Sequence, residues 1–90
     1  MVYGDITIKD LLNMLENNKD KRLQIDVAST SFEKADIYNI WDLEYFDDGW
    51  IGIANTYINT NDIYNIEKIK DNRYQIYFNN KEEEIQIAWY

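Results

Sequence analysis

Ninety residues, 46% apolar and 16% aromatic, make a single domain spanning 1–90 with enough large side chains for a small core, which excludes intrinsic disorder. Cysteine and histidine are both absent, which excludes disulfides, thiolate zinc sites, cysteine nucleophiles and histidine general bases. The net charge of −8 disfavours nucleic acid and anionic membrane as partners and favours basic surfaces.

The first predicted element is a helix. Ile8, Leu11, Leu12 and Leu15 share one helical face, and the spacing predicts a helix from Ile8 to Asn17. Thr7 is the expected N-cap, Asp10 lies near the positive end of the dipole, and Asn17, Asn18 and Lys19 form the stop. The period then changes to two. Leu23, Ile25 and Val27 alternate with polar residues as a first strand, and the small, polar run Ala28 to Ser31 reads as a turn. Residues 32–36, with Phe32 and Ala35, fit either a strand or one helical turn.

From Ile37 to Phe46 the β-branched and aromatic content predicts a strand. Asp47, Asp48 and Gly49 between two apolar runs predict a hairpin turn, and Trp50 to Thr56 is the expected return strand. Asn59 to Asp62 reads as a turn. Ile63 to Ile69 reads as a strand, although its apolar spacing also fits a short helix. Lys70, Asp71 and Asn72 turn the chain again. Tyr74, Ile76 and Phe78 alternate on the next strand, Asn79 to Lys81 is a tight turn, and Ile85, Ile87 and Trp89 alternate on the last.

These elements define an α+β fold: one N-terminal helix followed by a mostly antiparallel sheet of about five to six strands. Either the helix covers the apolar face of the sheet, or the sheet curls into a small open barrel. Helix-then-strands is also the element order of SH3-like and Sm-like barrels, an analogy of order alone. The start of the chain lacks a basic region followed by an apolar run, and no apolar stretch reaches membrane-spanning length, so the expected location is the cytoplasm.

The charge is not evenly spread. Between Lys34 and Lys68 there is no lysine or arginine, yet this stretch holds seven acids and seven large aromatics. The four acids Asp42, Glu44, Asp47 and Asp48 fall on the predicted hairpin. Asp42 and Glu44, two apart on a strand, are expected on one face. Such carboxylates could serve glycosidase chemistry or hold Mg²⁺ or Ca²⁺, but Asp-Asp-Gly lacks the ligand spacing of an EF-hand loop, and solvated strand and tip acids are the favoured reading. Glu82, Glu83 and Glu84 read as a solvated loop that protects the last hairpin from edge pairing. Ser29, Thr30 and Ser31 have no histidine to activate them and read as turn chemistry. The three glycines form no phosphate-cradling loop. No cofactor or metal is expected.

Seven large rings in this block exceed what one sheet face hides, so some, with Tyr38, Tyr45 and Tyr57 as candidates, are expected at the surface. Exposed rings beside carboxylates suit the Arg and Lys side chains of a partner. Small, acidic, cysteine-free chains of this profile resemble the anti-CRISPR and antirestriction proteins of phages and mobile elements, which implies an inhibitor that mimics nucleic-acid charge. The expected function is therefore non-enzymatic binding of a protein with a basic surface, through Asp42, Glu44, Asp47, Asp48 and Trp50. Trp50 fits either an anchor or a core residue. The alternative is a structural or assembly component that self-associates or docks in a larger complex, for which residues 85–90 offer an unpaired strand edge. A metal-dependent Asp/Glu enzyme ranks last.

Overall fold

Helix α1 (Ile8–Glu16) begins where its sequence signal places it. The Thr7 side chain accepts from the Asp10 backbone N–H, and Asp10 in return accepts from Thr7 N–H, a reciprocal capping box that satisfies two otherwise unpaired donors. Leu11 and Leu15 are fully buried from its apolar face. The computed structural model describes residues 6–31, 33–80 and 82–90.

Eight strands follow, all paired antiparallel: β1 (Leu23–Ser29), β2 (Glu33–Tyr38), β3 (Leu43–Tyr45), β4 (Trp50–Ile53), β5 (Thr56–Asn59), β6 (Ile63–Lys70), β7 (Arg73–Phe78) and β8 (Glu83–Trp89). They form two sheets, one of five strands in the order β2-β1-β8-β7-β6 and one of three in the order β3-β4-β5. The α+β class holds, and among the described residues one helix precedes the strands and no closed barrel forms.

The additional strands arise because two predicted strands are each broken. The stretch Ile37 to Phe46 splits into β2 and β3, since residues 39–42 carry the chain from one sheet to the other. Within that crossing Trp41 turns inward, and its indole N–H donates to the Lys21 carbonyl at 2.8 Å. The stretch Trp50 to Thr56 splits at Ala54 and Asn55 into β4 and β5. Ala54 sits at φ 53, a left-handed conformation that costs about 1–2 kcal/mol in a residue with a Cβ. Its N–H donates to the Asp42 carbonyl at 3.0 Å, which helps to hold that turn. Residues 33–36, open between strand and helix in the sequence, are strand; Phe32 and Lys81 lie outside the described residues.

The last strand is interior rather than an edge. β8 pairs with β1 on one side and β7 on the other, so residues 85–90 offer no free edge, and Glu83 and Glu84 belong to this strand rather than to a loop. The edges of the large sheet are β2 and β6. Register places Ile25 opposite Ile87 and Val27 opposite Ile85, with Tyr74 and Ile76 continuing those rows on β7. This apolar face, the buried face of α1 and the inner side chains Leu43, Ile51, Ile53 and Ile58 of the small sheet share one core. Each fully buried Leu or Ile contributes about 1.5–3 kcal/mol by removal from water.

Candidate functional site

The site is built on the outer face of the small sheet. Alternation along β3 and β4 turns Leu43, Ile51 and Ile53 inward and leaves Glu44, Phe46, Trp50 and Gly52 outward. Pairing places Glu44 opposite Gly52, and Gly52 opposite Tyr57 of β5. The result is an aromatic surface: Phe46 is 47%, Trp50 44% and Tyr57 57% exposed. The Phe46 and Tyr57 rings lie 5.8 Å apart at 49°, closing over the bare Cα of Gly52. A Cβ there would meet Tyr57 at 3.2 Å and Phe46 at 3.4 Å, so glycine is what lets the two rings approach.

The hairpin tip forms as its Asp-Gly signal predicts. Asp48 at φ 63 and Gly49 at φ 84 are both left-handed, as a mirror-image type I′ turn requires, and Trp50 N–H closes it on the Asp47 carbonyl. The tip is also braced from outside. The turn at residues 60–62 donates to it twice, from Thr60 Oγ1 to the Gly49 carbonyl at 2.8 Å and from Asn61 Nδ2 to the Asp48 carbonyl at 3.4 Å. The same turn is tied to the β7–β8 turn, where Asn79 N–H donates to the Asp62 carbonyl at 2.9 Å. Asp47 and Asp48 thus project from a tip anchored to the large sheet.

Four of the five residues expected to act together share this region. Glu44 lies on the outer face, Asp47 and Asp48 at the tip, and Trp50 is exposed whereas Trp41 and Trp89 are buried. Asp42 is the exception. It precedes β3 rather than sharing a strand face with Glu44. One of its carboxylate oxygens accepts from the Leu43 N–H at 2.8 Å and meets Lys19 Nζ at 2.6 Å. That hydrogen bond to Lys19, then the one from Leu43, holds the Asp42 carboxyl below its ordinary range, and Asp42 in turn raises the Lys19 ammonium. With the Asp42 side chain 73% exposed, the pair adds little stability, but it does neutralise one acid of the block. Lys19 also meets Glu16 at 3.3 Å.

Of the tyrosines expected at the surface, Tyr45 and Tyr57 are exposed, and Tyr38 is partly buried against the core. Tyr45 Oη donates to Glu16 at the end of α1, at 3.3 Å. Desolvation there, reinforced by the Glu16 carboxylate, pushes the Tyr45 phenol above its ordinary value. Sequence reasoning missed Phe46 as a surface ring. The signal was available in period two, since Phe46 shares parity with Glu44.

Beside the aromatic face, a cleft of about 350 Å³ separates the small sheet from the β7–β8 turn. Its base is the buried Ile58, Phe78 and Ile85, and its rim includes Trp50, Tyr57, Asp62 and Glu83. Among the described residues no group of three or more acids is arranged to hold a metal, and no helix is long and apolar enough to cross a membrane. The fold and site define an α+β domain with an acidic, aromatic face. No family model matches the chain, nor does any curated protein or solved structure.

Proposed function

We propose that this protein is a small acidic binding module without catalytic activity, acting in the cytoplasm, which docks a basic protein surface with the outer face and tip of its β3–β4 hairpin. The observation that carries the reading is the braced tip: Asp47 and Asp48 stand beside exposed Trp50, Phe46 and Tyr57 on a turn anchored through Thr60 and Asn61. A rigid aromatic patch rimmed by carboxylates loses little conformational freedom on binding and offers cation–π and charge-assisted contacts to Arg and Lys. Glu44, Asp47, Asp48 and Trp50 make these contacts, while Asp42 contributes less because Lys19 already occupies it. In its sharpest form the module is an inhibitor carried by a phage or mobile element, which imitates nucleic-acid charge and fills an effector's Lys/Arg channel built for phosphate.

Isothermal titration against a guide-loaded Cas9-type nuclease tests that form. Binding is expected at about 50 mM salt and should weaken by about 200 mM. Absence of binding at low salt removes this target. For any partner that does bind, Asp47→Lys with Asp48→Asn should weaken the complex at least tenfold; asparagine keeps the left-handed turn residue while removing its charge. Unchanged affinity would show that the hairpin is not the interface.

A second reading, self-association, is favoured by one different observation. The β1–β2 ladder runs without a register shift from Leu23↔Tyr38 to Ala28↔Glu33, so the outer edge of β2 is regular, whereas β6 at the opposite edge is broken by two irregularities. Light scattering at high concentration separates the readings, since a strict monomer rules out pairing through β2.

A further inference from the structure

We infer that the cleft between the small sheet and the β7–β8 turn is a receptor for a single arginine side chain of the partner, with Trp50 and Tyr57 as stacking walls and the Asp62 and Glu83 carboxylates as acceptors. The inference rests on the proposed docking function and adds a second contact point beside the hairpin tip.

Several polar groups around the cleft are already engaged. The Asn59 side-chain oxygen accepts from Asn61 N–H at 2.9 Å, and the Asn80 oxygen accepts from Glu82 and Glu83 N–H at 3.0 and 3.4 Å. Asn79 donates its side-chain amide to the Asn61 carbonyl at 3.5 Å. These asparagines build the rim by fixing its turns. The Asp62 and Glu83 carboxylates make no ion pair or side-chain hydrogen bond among the described residues. Two carboxylate-bearing residues therefore line a cleft whose base is apolar and whose described lining residues include no lysine or arginine.

Charge and shape together select the occupant. A carboxylate ligand would be repelled, and an apolar side chain would leave both acids facing it. A lysine ammonium could pair with the acids but has no plane to stack. A guanidinium carries a positive charge, a flat face that stacks on Trp50 or Tyr57, and donors enough for two carboxylates, while its methylene stem covers Ile58, Phe78 and Ile85. The volume, near the lower end of small-ligand sites of roughly 300–1,000 Å³, suits one side chain rather than a folded segment.

The test uses the whole protein, isotope-labelled, and three blocked tripeptides, Gly-X-Gly with X as arginine, lysine or citrulline, followed by amide NMR. The arginine peptide is expected to shift the Trp50 indole N–H and the amides of Asp62 and Glu83, with affinity on the order of millimolar. The lysine peptide should be several-fold weaker, and the uncharged citrulline peptide should not bind. Asp62→Asn with Glu83→Gln should reduce the arginine response at least fivefold, as should Trp50→Ala; the spectrum of each variant reports its folding directly. Asp47→Asn with Asp48→Asn should leave the cleft shifts in place. Equal shifts from arginine and citrulline, shifts scattered over all acidic residues and insensitive to the Asp62 and Glu83 substitutions, or no shift at tens of millimolar peptide would each overturn the inference. Shifts confined to Asp47 and Asp48 would keep the hairpin reading and discard the cleft.

Discussion

The two sheets use similar aromatic pairs for opposite purposes. Tyr74 and Trp89 in the large sheet stack 5.6 Å apart at 13°, and both are buried. Phe46 and Tyr57 in the small sheet meet at nearly the same separation, but both stand exposed. The large sheet has its apolar face covered by α1 and by the small sheet, so Tyr74 and Trp89 on that face carry stability, while Tyr64 on edge strand β6 stands exposed. The small sheet has only one covered face, and its outer rings carry contact area that is available to something else. A ring count alone cannot separate these roles, because the side of the sheet decides them.

Two substitutions and one titration test that contrast. The largest effect belongs to the large sheet. Ile76, fully buried between β6 and β8, should lose about 2–5 kcal/mol on Ile76→Ala, measured by urea unfolding, a major part of the stability of so small a domain. If Ile76→Ala costs no more than a surface change, the large sheet is not the stabilising half.

A smaller effect belongs to the hairpin tip. Gly49 has φ 84, and a Cβ there would meet Asn61 Nδ2 at 2.8 Å and Thr60 Oγ1 at 3.1 Å. Gly49→Ala should therefore cost about 1–3 kcal/mol through left-handed strain and the displaced brace. Amide exchange should quicken at Asp47 to Trp50 and stay unchanged in β7 and β8. Quickening in both sheets would mean that the tip and the large sheet unfold together.

The smallest effect is an alkaline one. Tyr45 of the small sheet and Tyr77 of the large one both ionise above the ordinary phenol value, chiefly through desolvation, with Glu16 beside the first and a hydrogen bond to Glu67 on the second. A phenol raised in the fold favours the folded state fully below its unfolded value of about 10, and that contribution is lost as pH rises through the folded value. Phenolate absorbance should show a late component that is absent in Tyr45→Phe with Tyr77→Phe. A single early transition would show that neither site is desolvated enough to matter. At the acid end the sign is reversed. The lowered Asp42 favours folding above about pH 4 and loses that contribution as pH falls through its folded value.

Much of this contrast was legible in the sequence where the forces are local. The capping box at Thr7 and Asp10, the helical face of Leu11 and Leu15, the Asp-Gly turn and the alternation of Tyr74, Ile76 and Phe78 are all set by neighbours a few residues apart. The structure departs from the sequence pattern where distant contacts decide. Ile40 and Trp41 have strand-forming side chains, yet the passage between sheets leaves Ile40 exposed and buries Trp41 against Lys21. The Ala54 turn carries no glycine to announce it. The central place of β8 depends on its pairing with β1, which period-two patterning does not encode. At the site, the shared hairpin of Glu44, Asp47, Asp48 and Trp50 was visible, whereas the capture of Asp42 by Lys19 and the placing of Asp62 and Glu83 around one cleft depend on the tertiary fold.

The pairing of β8 with β1 also sets an order in time. β1 and β2 join locally as a two-stranded hairpin, a unit that is marginal in water on its own. Its inner edge stays open until residues 83–89 arrive, and closing the long intervening loop must precede the reward of the β1–β8 ladder. The small sheet, made of consecutive strands, has no such wait. The small sheet can therefore pair sooner than β1 and β8, but its inner side chains are buried only when the shared core forms.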